Sequence, residues 1–356
     1  VVESLQFTDG SAMAILDLLP RATEGNDVIN GSGGADTIDA LAGNDTVNAG
    51  AGNDTITGGT GNDTLFGSAG NDTYVFNLGD GVDTVTDTTA NGDTNTIVFG
   101  VGIDPASLSL GLGSLLIHYG NQGDAIHITG FDPNDAYNPL SIGEFHFADG
   151  TLLAYADLIN LGFNLNGTNG DDVISGTNAT DRIIGGLGND TLNGGAGDDI
   201  YFYALGDGSD TVQDGAGNDI LALSGVALPD LNTSVSGEDL VLELPDGDTI
   251  TLRDWFVGTD NQIEIITLDG VSYAGSFIET WGHAPIVVAA LPDIATDEDS
   301  PFNLDISTYF TDADLSRGDL LTYSATLAGG SELPTWLTFD VTTGSFTGIP
   351  LQADVG

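Results

Sequence analysis

The sequence predicts an all-β fold: two blocks of stacked short strands, a β-rich cap after each block, and a partial β-sandwich at the end. Three observations support this prediction. Two stretches of the chain repeat with a strict nine-residue period, and the segment that follows the first stretch is nearly a copy of the segment that follows the second. The regions beyond those segments alternate apolar and polar residues, which is typical of strands.

The period is carried by ten aspartates that follow one another at intervals of nine residues within each block. Two positions after each of them stands an apolar or aromatic residue, such as Ile29 in the first repeat and Tyr74 in the sixth. A disordered Gly-rich linker would not keep this register. The aspartates are Asp27, Asp36, Asp45, Asp54, Asp63 and Asp72 in the first block and Asp172, Asp181, Asp190 and Asp199 in the second.

Each nonapeptide predicts a short strand with one inward apolar side chain, followed by a Gly-rich turn, and two nonapeptides make one coil. Residues 18 apart would then stack at roughly 4.8 Å, the spacing between strands. Carboxylates at that distance repel by about 3 kcal/mol per pair at an effective dielectric near 20. A hard divalent cation between the turns would make the net interaction attractive instead of repulsive. Calcium fits because it accepts six to eight oxygens in loose geometry, whereas magnesium requires a tighter octahedron.

The composition supports a cation as the partner. The chain has 54 acidic residues against four arginines and no lysine, for a formal charge of −50. Such a chain repels nucleic acid and anionic membranes, so neither partner is expected. It has no cysteine for disulfides or thiolate metal sites. It has no apolar run of the ~18 residues that span a membrane, and its first residues lack the pattern of a cleavable signal peptide.

The motifs "GGTGND" (58–63) and "GGAGDD" (194–199) resemble the nonapeptide of RTX proteins, the haemolysin-type calcium-binding repeats. The resemblance implies a parallel β-roll with several Ca²⁺ ions between successive turns, held by the ten aspartates and by turn carbonyls. The motif is less regular at 31–36 and 177–181, where Ala35 and Ala179 depart from it. The implied carbonyl ligands are those of Gly43, Gly52, Gly58, Gly61, Gly67, Gly70, Gly185, Gly188, Gly194 and Gly197.

A duplicated segment follows each block: "YVFNLGDGVDTVTD" (74–87) matches "YFYALGDGSDTVQD" (201–214). Its aspartates have left the nine-residue phase. They either complete a last cation site in each roll or are solvated turn residues, and the sequence leaves both interpretations open. These aspartates are Asp80, Asp83, Asp207 and Asp210.

Three copies of one apolar spacing, each ending in Asp-Gly, set the predicted domain boundaries. They begin at Val2, Ile142 and Ile263, and the first copy has no repeat block before it. We therefore expect residues 1–20 to end a preceding unit. The remaining predicted domains are roll 1 (21–87), cap 1 (88–161), roll 2 (162–214), cap 2 (215–282) and a β-sandwich (283–356).

The last predicted domain resembles a cadherin-like module of the dystroglycan type, chiefly in the run "LPTWLTFDVTTGSFTGIP" (333–350). Such sandwiches need about 100 residues, so we expect this one to be truncated and the chain to be part of a longer bacterial secreted protein. Its acidic residues either bind calcium at a domain junction or lie in exposed loops. They are Asp297, Glu298, Asp312 and Asp314.

Catalysis is not predicted. The sequence has no G-x-S-x-G elbow, no H-E-x-x-H motif and no thiol. Its four histidines have spacings that suit no standard zinc motif, so a structural or surface role is favoured for them. Any enzymatic activity would have to lie outside this chain.

Several functions remain open. The leading interpretation is a calcium-binding structural or adhesive region of a large RTX protein that folds on extracellular calcium, with type I secretion implied by the resemblance. One alternative is an export and folding module of a secreted RTX hydrolase or toxin. Another is a calcium-dependent glycan-binding module that uses exposed aromatics such as Trp255 or Trp336, although a core position is favoured for Trp336. The partner would be a cell-surface glycan or protein. An ice-binding face is disfavoured, because only Thr60 occupies its position among the first repeats.

Overall fold

The computed structural model describes residues 4–6, 12–14, 22–87, 93–120, 122–279, 285–292, 294–311 and 321–354. Almost all of its regular structure is strand, which confirms the all-β prediction. The two α-helices, α1 (Tyr155–Ile159) and α2 (Gly275–Glu279), have five residues each. No helix in these ranges has the length and apolar character that a bilayer crossing requires. Near the start, β1 (Ser4–Gln6) pairs antiparallel with β2 (Ala12–Ala14).

The first repeat block forms a roll of two parallel sheets. Its strands are β3 (Val28–Asn30), β4 (Thr37–Asp39), β5 (Thr46–Ala51), β6 (Thr55–Thr57), β7 (Thr64–Ala69), β8 (Thr73–Phe76), β9 (Val82–Thr86) and β10 (Asn95–Phe99). Odd-numbered strands make one sheet and even-numbered strands the other. Val47 lies opposite Ile29 on one side and Leu65 on the other. Because each partner is 18 residues away, two nonapeptides make one turn, as predicted.

The core of the first roll consists of the inward residue of each nonapeptide. Ile56 and Leu65 are fully buried, and Ile29 at the first turn is 8% exposed. Val28, which points outward from the same strand as Ile29, is 64% exposed. The alternation follows from the two-residue period of a strand, and burying each of these side chains contributes about 1.5–3 kcal/mol. The three-residue strands of the first roll therefore bury one side chain each, whereas the longer β5 and β8 bury two each.

Cap 1 prolongs both sheets of the roll. Its strands are β11 (Ser109–Gly111), β12 (Leu115–Tyr119), β13 (Asp124–Ile128), β14 (Ile142–Phe147) and β15 (Leu152–Ala154). Strand β13 is parallel to β9, and β14 is parallel to β10, so sheets cross the predicted boundary at residue 88. The β14–β15 hairpin places Glu144 opposite Ala154. The β1–β2 hairpin has the same span, with Ser4 opposite Ala14.

The second unit repeats this topology. Its strands are β16 (Phe163–Asn166), β17 (Val173–Ser175), β18 (Asp181–Ile184), β19 (Thr191–Asn193), β20 (Ile200–Ala204), β21 (Asp210–Gln213), β22 (Ile220–Ser224), β23 (Asn232–Ser236), β24 (Asp239–Glu243), β25 (Thr249–Leu252), β26 (Ile265–Leu268) and β27 (Val271–Ala274). Strands β16, β18, β20, β22 and β26 are parallel neighbours, as are β17, β19, β21 and β25. Antiparallel strands β24 and β23 follow β25, just as β12 and β11 follow β13. An Asp-Gly turn joins β24 to β25, with Gly247 at φ 98°.

The two units share one sheet. Strand β11 of cap 1 is parallel to β16 of roll 2, with Leu110 opposite Phe163, and the resulting sheet has 13 strands. Phe131 of cap 1 contacts Phe163 with 5.5 Å between ring centroids. The backbone N–H of Asn178 in roll 2 donates to the carbonyl of Pro133 in cap 1 at 3.0 Å. Cap 1 therefore provides the surface on which roll 2 begins.

The junction yields a testable prediction. Phe163 is fully buried, so Phe163→Ala should cost about 3–5 kcal/mol of stability through lost burial and the cavity it leaves. The control Phe202→Ala lies in β20 of the same sheet, where the side chain is 40% exposed, and should cost about 1 kcal/mol or less. Urea unfolding in saturating calcium measures both. Equal losses in the two variants would contradict the role of the junction.

The last region contains small antiparallel sheets. Its strands are β28 (Ile286–Val287), β29 (Phe302–Asp305), β30 (Phe310–Thr311), β31 (Leu337–Asp340) and β32 (Ser345–Gly348). Strand β32 lies between β29 and β31, and Phe302 contacts Trp336 edge-on with centroids 6.2 Å apart. Asp297 and Glu298 are exposed. Asp312 and Asp314 lie outside the described residues.

Candidate metal centre

The repeat aspartates stack in four rows along the rolls, which we call ladders 1 to 4. In each ladder the backbone N–H of one aspartate donates to Oδ1 of the residue one turn further on, as from Asp45 to Asp63 at 2.8 Å. This confirms the predicted stacking. The ladders are Asp27-Asp45-Asp63-Asp83 (ladder 1), Asp36-Asp54-Asp72-Asn95 (ladder 2), Asp172-Asp190-Asp210 (ladder 3) and Asp181-Asp199-Asp219 (ladder 4).

The residue before most ladder aspartates bonds in the opposite direction. The backbone N–H of Asn44 donates to Oδ1 of Asn26 at 2.8 Å, and that of Asn62 donates to Oδ1 of Asn44 at 3.0 Å. The N–H of Asn189 donates in the same way to Oδ1 of Asp171 at 2.9 Å. An Asn-Asp pair therefore ties its turn to both the preceding and the following turn. This explains why the pair recurs in the repeats.

Besides Asp181, whose buried Oδ1 has no hydrogen-bond partner, six ladder aspartates carry a buried Oδ2 without one. Their side chains are at most 2% exposed, and Oδ2 of each accepts no hydrogen bond. A buried polar atom left in this state costs about 1–3 kcal/mol, and more when it is charged. Native structures rarely tolerate such atoms unless a water or an ion meets them. The six are Asp45, Asp54, Asp63, Asp72, Asp190 and Asp199.

The turn before each of these six aspartates shares one backbone feature. The residue four positions earlier has a positive φ, which glycine adopts at little cost and other residues rarely adopt. At two of these six positive-φ positions the residue is not glycine: they are Leu41 at φ 75° and Ser68 at φ 80°. The glycines are Gly50, Gly59, Gly186 and Gly195, with φ between 91° and 110°.

The first aspartate of each ladder is built differently. Oδ2 of Asp27 accepts hydrogen bonds from the backbone N–H and the hydroxyl of Thr23, at 2.6 and 2.8 Å. Thr177 bonds to Oδ2 of Asp181 with the same two groups. The corresponding donors are Ser32 for Asp36, through its N–H, and Thr168 for Asp172. In these four turns, protein donors already satisfy the Oδ2 that is unpartnered in the other six, although Oδ1 of Asp181 is itself buried and unpartnered.

The ten predicted carbonyl glycines occupy two kinds of position. Gly58, Gly67, Gly185 and Gly194 lie against Oδ2 of the aspartate five residues later, so that an added Cβ would overlap that oxygen. The other six have positive φ and lie against the backbone of an earlier turn. They are Gly43, Gly52, Gly61, Gly70, Gly188 and Gly197. Coordination by their carbonyls stays a prediction.

The four aspartates of the duplicated segment divide in the same way in both units. Asp83 and Asp210 are the last members of ladders 1 and 3, since Asp63 and Asp190 donate to them. Asp80 and Asp207 instead turn back to their own loop. Oδ2 of Asp80 accepts the N–H of Asn77, and Oδ2 of Asp207 accepts that of Ala204, each at 2.7 Å.

Sequence reasoning missed the residues that extend ladders 2 and 4. Asn95 accepts the N–H of Asp72, Asp219 accepts that of Asp199, and Oε2 of Glu264 accepts that of Asp219. The motif "GAGND" at 215–219 is a signal that would have identified Asp219. Asp219 lies 20 residues after Asp199 instead of 18, so it falls outside the nine-residue period. No comparable motif precedes Asn95.

Burial makes the ladder carboxyls hard to ionise without a counter-charge. It raises the pKa of Asp63 and of Asp72 to about 6, and nearby carboxylates such as Asp45 and Asp54 raise it further. For the same main reason the pKa of Asp83 rises to about 8 and that of Asp199 to about 7. A hydrogen bond from the neighbouring backbone opposes the shift in each case. A bound cation would offset the repulsion and allow the carboxyls to ionise.

These residues fit calcium. The unpartnered atoms are hard oxygen donors, repeated along both rolls, and Ca²⁺ accepts six to eight such donors from carboxylates and carbonyls. Asp45, Asp54, Asp63, Asp72, Asp190 and Asp199 would hold the ions through Oδ2, and Asp181 through Oδ1, because each of these oxygens has no other partner. When bound, calcium supplies the positive charge that the ladders lack.

Comparison with protein families agrees with this chemistry. Residues 21–56, 48–85, 165–203 and 205–224 match the RTX calcium-binding nonapeptide repeat. Residues 115–157 match the haemolysin-type calcium binding protein related domain, and residues 284–356 match the model described as "Putative Ig domain". The chain therefore contains calcium-binding RTX repeats folded as two parallel β-rolls, followed by a region that matches an Ig-domain model.

A search of curated proteins found no match. Among solved structures, the chain is similar to the extracellular lipase LipA from Serratia marcescens, at 17% identity and a TM-score of 0.20. The similarity covers 65% of this chain and 36% of the lipase chain. The matched region thus corresponds to about a third of the lipase chain.

The two kinds of ladder aspartate predict different mutational effects. Asp63→Asn keeps the Oδ1 that accepts the N–H of Asp45 but replaces the unpartnered Oδ2. We expect fewer bound calcium ions and a calcium midpoint for folding several-fold higher. Asp27→Asn is the matched control, because Thr23 already satisfies Oδ2 of Asp27, and it should leave the number of bound ions unchanged. Isothermal titration calorimetry gives the ion count. Loss of an ion in both variants would refute the distinction.

Proposed function

We propose that this chain is a calcium-dependent structural extension of a large secreted protein, which carries adhesive domains away from the cell surface. The observation that carries the proposal is the row of unpartnered ladder carboxylates along two rolls that share one 13-stranded sheet. Calcium between the turns would stiffen each roll, and the shared sheet would transmit that stiffness from one roll to the next. Such a region serves as a spacer.

Folding would be coupled to calcium. In a cell with little free calcium, repulsion between the ladder carboxylates opposes closure of the rolls. At the millimolar calcium found outside cells, the binding energy becomes folding energy. Extracellular calcium modules typically bind at ~10⁻⁴ to 10⁻³ M. Because the sites are stacked, the transition should be cooperative in that range.

Secretion and adhesion form the finer part of the proposal. RTX repeats support an extracellular location, and export as an extended chain by type I secretion fits folding that waits for calcium. The adhesive role is supported by the region at 284–356, which matches an Ig-domain model and which we assign to the dystroglycan-type cadherin-like modules. A cell-surface glycan or protein would be its partner. The alternative role, an export module for a hydrolase or toxin domain elsewhere in the protein, needs the same calcium-dependent rolls.

Glycan binding by the rolls remains a second candidate, with a different site from the one predicted. Trp255 is fully buried, so the prediction that it is an exposed aromatic is wrong. Trp336 is half-buried and contacts Phe302. The feature that favours glycan binding is an open cavity of about 770 Å³ lined by residues of roll 2 and cap 2, where Phe202 is 40% exposed beside Asp207. An aromatic face beside a carboxylate suits sugar rings and hydroxyls.

We also propose that the chain itself is not catalytic. The Ser114 hydroxyl lies 2.7 Å from Nδ1 of His127, which resembles a nucleophile and its base. In the described residues no carboxylate hydrogen-bonds to His127 to orient the ring, and orientation by a third group is part of such a constellation. Assaying the purified chain in calcium against a panel of ester and peptide substrates tests this. Turnover that Ser114→Ala abolishes would overturn it.

The function is tested by far-UV circular dichroism of the whole chain as calcium is added after treatment with EDTA, with magnesium as the control. We expect a cooperative gain of β-structure near millimolar calcium and no comparable gain with magnesium. Small-angle scattering at saturating calcium should then show an elongated, rigid particle. A spectrum that is fully β in EDTA and unchanged by calcium would refute the calcium-dependent fold. Binding to immobilised glycans that Phe202→Ala abolishes would favour the second candidate.

A further inference from the structure

The last turn of roll 2 brings three buried carboxylates together. Asp199, Asp214 and Asp219 are at most 4% exposed, and one oxygen from each lies within 4.8 Å of the others. Only Asp199 belongs to the nine-residue series. Asp214 precedes "GAGND" and occupies the position that Gly194 holds in "GGAGDD" one turn earlier. The final turn thus has a carboxylate where the repeat has a glycine.

The side chains converge on one point. Oδ2 of Asp199, the hydroxyl of Tyr201 and Oδ1 of Asp214 all lie over the Cα of Gly194, where an added Cβ would overlap Oδ2 and the hydroxyl. The Tyr201 hydroxyl donates to Oδ1 of Asp214 at 2.6 Å. Oδ2 of Asp199 and Oδ2 of Asp214 accept no hydrogen bond. Two nearly fully buried carboxylates thus present unpartnered oxygens to the same cluster.

No arginine or histidine forms an ion pair with these three carboxylates in the described part of the chain. Without a metal, the cluster can be stable only if the carboxyls bind protons. Burial, together with the neighbouring Asp214, raises the pKa of Asp219 to about 8, and burial raises that of Asp214. A shared proton between Asp214 and Asp219 is therefore the competing explanation of the cluster.

We infer that Asp199, Asp214 and Asp219 form a calcium site at the end of roll 2 that is distinct in composition from the repeat sites. Three carboxylates more than balance the two positive charges of a hard divalent cation, and calcium affinity rises with the number of charged ligands. The site should therefore fill at lower calcium than sites with one carboxylate per repeat. Because it closes the last turn, it would hold the end of the roll before the remaining turns are filled.

Roll 1 contains a natural comparison. Tyr74 donates to Oδ2 of Asp87 at 2.6 Å, and Asp72 lies in the same turn, as Tyr201, Asp214 and Asp199 do in roll 2. The position of Asp219 is taken by Asn95, which accepts the N–H of Asp72 in the same way. At the position of Asp219, roll 1 therefore has an amide instead of a carboxylate, and Asp93, a further carboxylate near Asp72, accepts the N–H of Gly70 through Oδ2. Roll 1 should lack the tight site.

The test exchanges that carboxylate in the whole chain. Competition with a fluorescent calcium chelator counts the tightest class of sites. Asp219→Asn and Asp214→Asn should each lose one tight site, with affinity at that site at least 10-fold weaker, while the circular dichroism spectrum at saturating calcium is unchanged. Asn95→Asp should gain one tight site.

The inference rests on the calcium binding proposed for the whole chain, and the two can fail separately. A wild-type chain that folds fully in EDTA refutes the proposed function. A wild-type chain that folds with calcium, but whose tight-site count is unaltered in Asp214→Asn and Asp219→Asn, refutes only this site and leaves the shared proton as the explanation. If those two variants do not fold, Asn95→Asp decides: one additional tight site supports the assignment, and no additional site overturns it.

Discussion

Replacing Gly61 by alanine should destabilise roll 1 by about 2–5 kcal/mol, measured by urea unfolding in saturating calcium. Gly61 has φ 137°, a conformation that costs other residues about 1–3 kcal/mol. The new Cβ would also overlap the carbonyl carbon and oxygen of Gly43 in the preceding turn. Because the overlap is with backbone atoms, no side-chain rotation can relieve it, and the two turns that contain Gly43 and Gly61 must move apart. The calcium midpoint for folding should rise with the loss of stability.

The matched control is Gly33→Ala. Gly33 lies in the first block, its φ is not positive, and no atom would lie within 4 Å of an added Cβ. The substitution should change stability by about 0.5 kcal/mol or less. If both variants unfold at the same urea concentration as the wild type, close stacking of the turns is not what makes glycine necessary at position 61.

Lowering the pH should stabilise the calcium-free chain and weaken calcium binding. Folding raises the pKa of Asp63 and Asp72 from 3.8 to about 6, that of Asp199 to about 7 and that of Asp83 to about 8, chiefly through burial. Between pH 4 and 8 the folded chain therefore binds more protons than the unfolded chain, and its stability falls as the pH rises. Calcium must displace these protons, so the calcium midpoint should rise as the pH falls.

Circular dichroism in EDTA and in calcium, between pH 8 and pH 5 at constant ionic strength, measures both effects. We expect β-structure in EDTA to increase toward pH 5 while the calcium midpoint increases several-fold. Asp83→Asn removes a group whose pKa is about 8, so its dependence on pH between 7 and 8 should be flatter. A calcium midpoint for folding that is the same at pH 5 and pH 8 would show that calcium does not bind to the ladder carboxyls.

Much of the roll was predictable because the period is local. An inward residue such as Leu65 and the aspartate before it recur every nine positions, so equivalent residues stack on one another from turn to turn. The pairing of Val47 with Ile29 and Leu65 follows directly. Trp255 was placed wrongly because its burial depends on cap 2, whose segments carry no repeat.

The candidate site was predictable by residue type but not by atom. The sequence treats Asp27 and Asp63 as equivalent. In the structure, Thr23 satisfies Oδ2 of Asp27, whereas Oδ2 of Asp63 has no partner. The ladder residue Asp219 lies two positions outside the nine-residue period, because the turn between Asp199 and Asp219 has two more residues than a regular turn. Such differences depend on which turn lies above and below each residue.

The sequence by itself determined the β-roll, its two-nonapeptide turn and the repeated aspartates that bind calcium, because each of these follows from a repeated local pattern. Only the tertiary structure shows that β11 pairs with β16 and so joins both units in one sheet. It also decided which oxygens are left without partners and that Asp214 meets Asp199. These are contacts between segments distant along the chain, and their geometry is set by packing, not by any local signal.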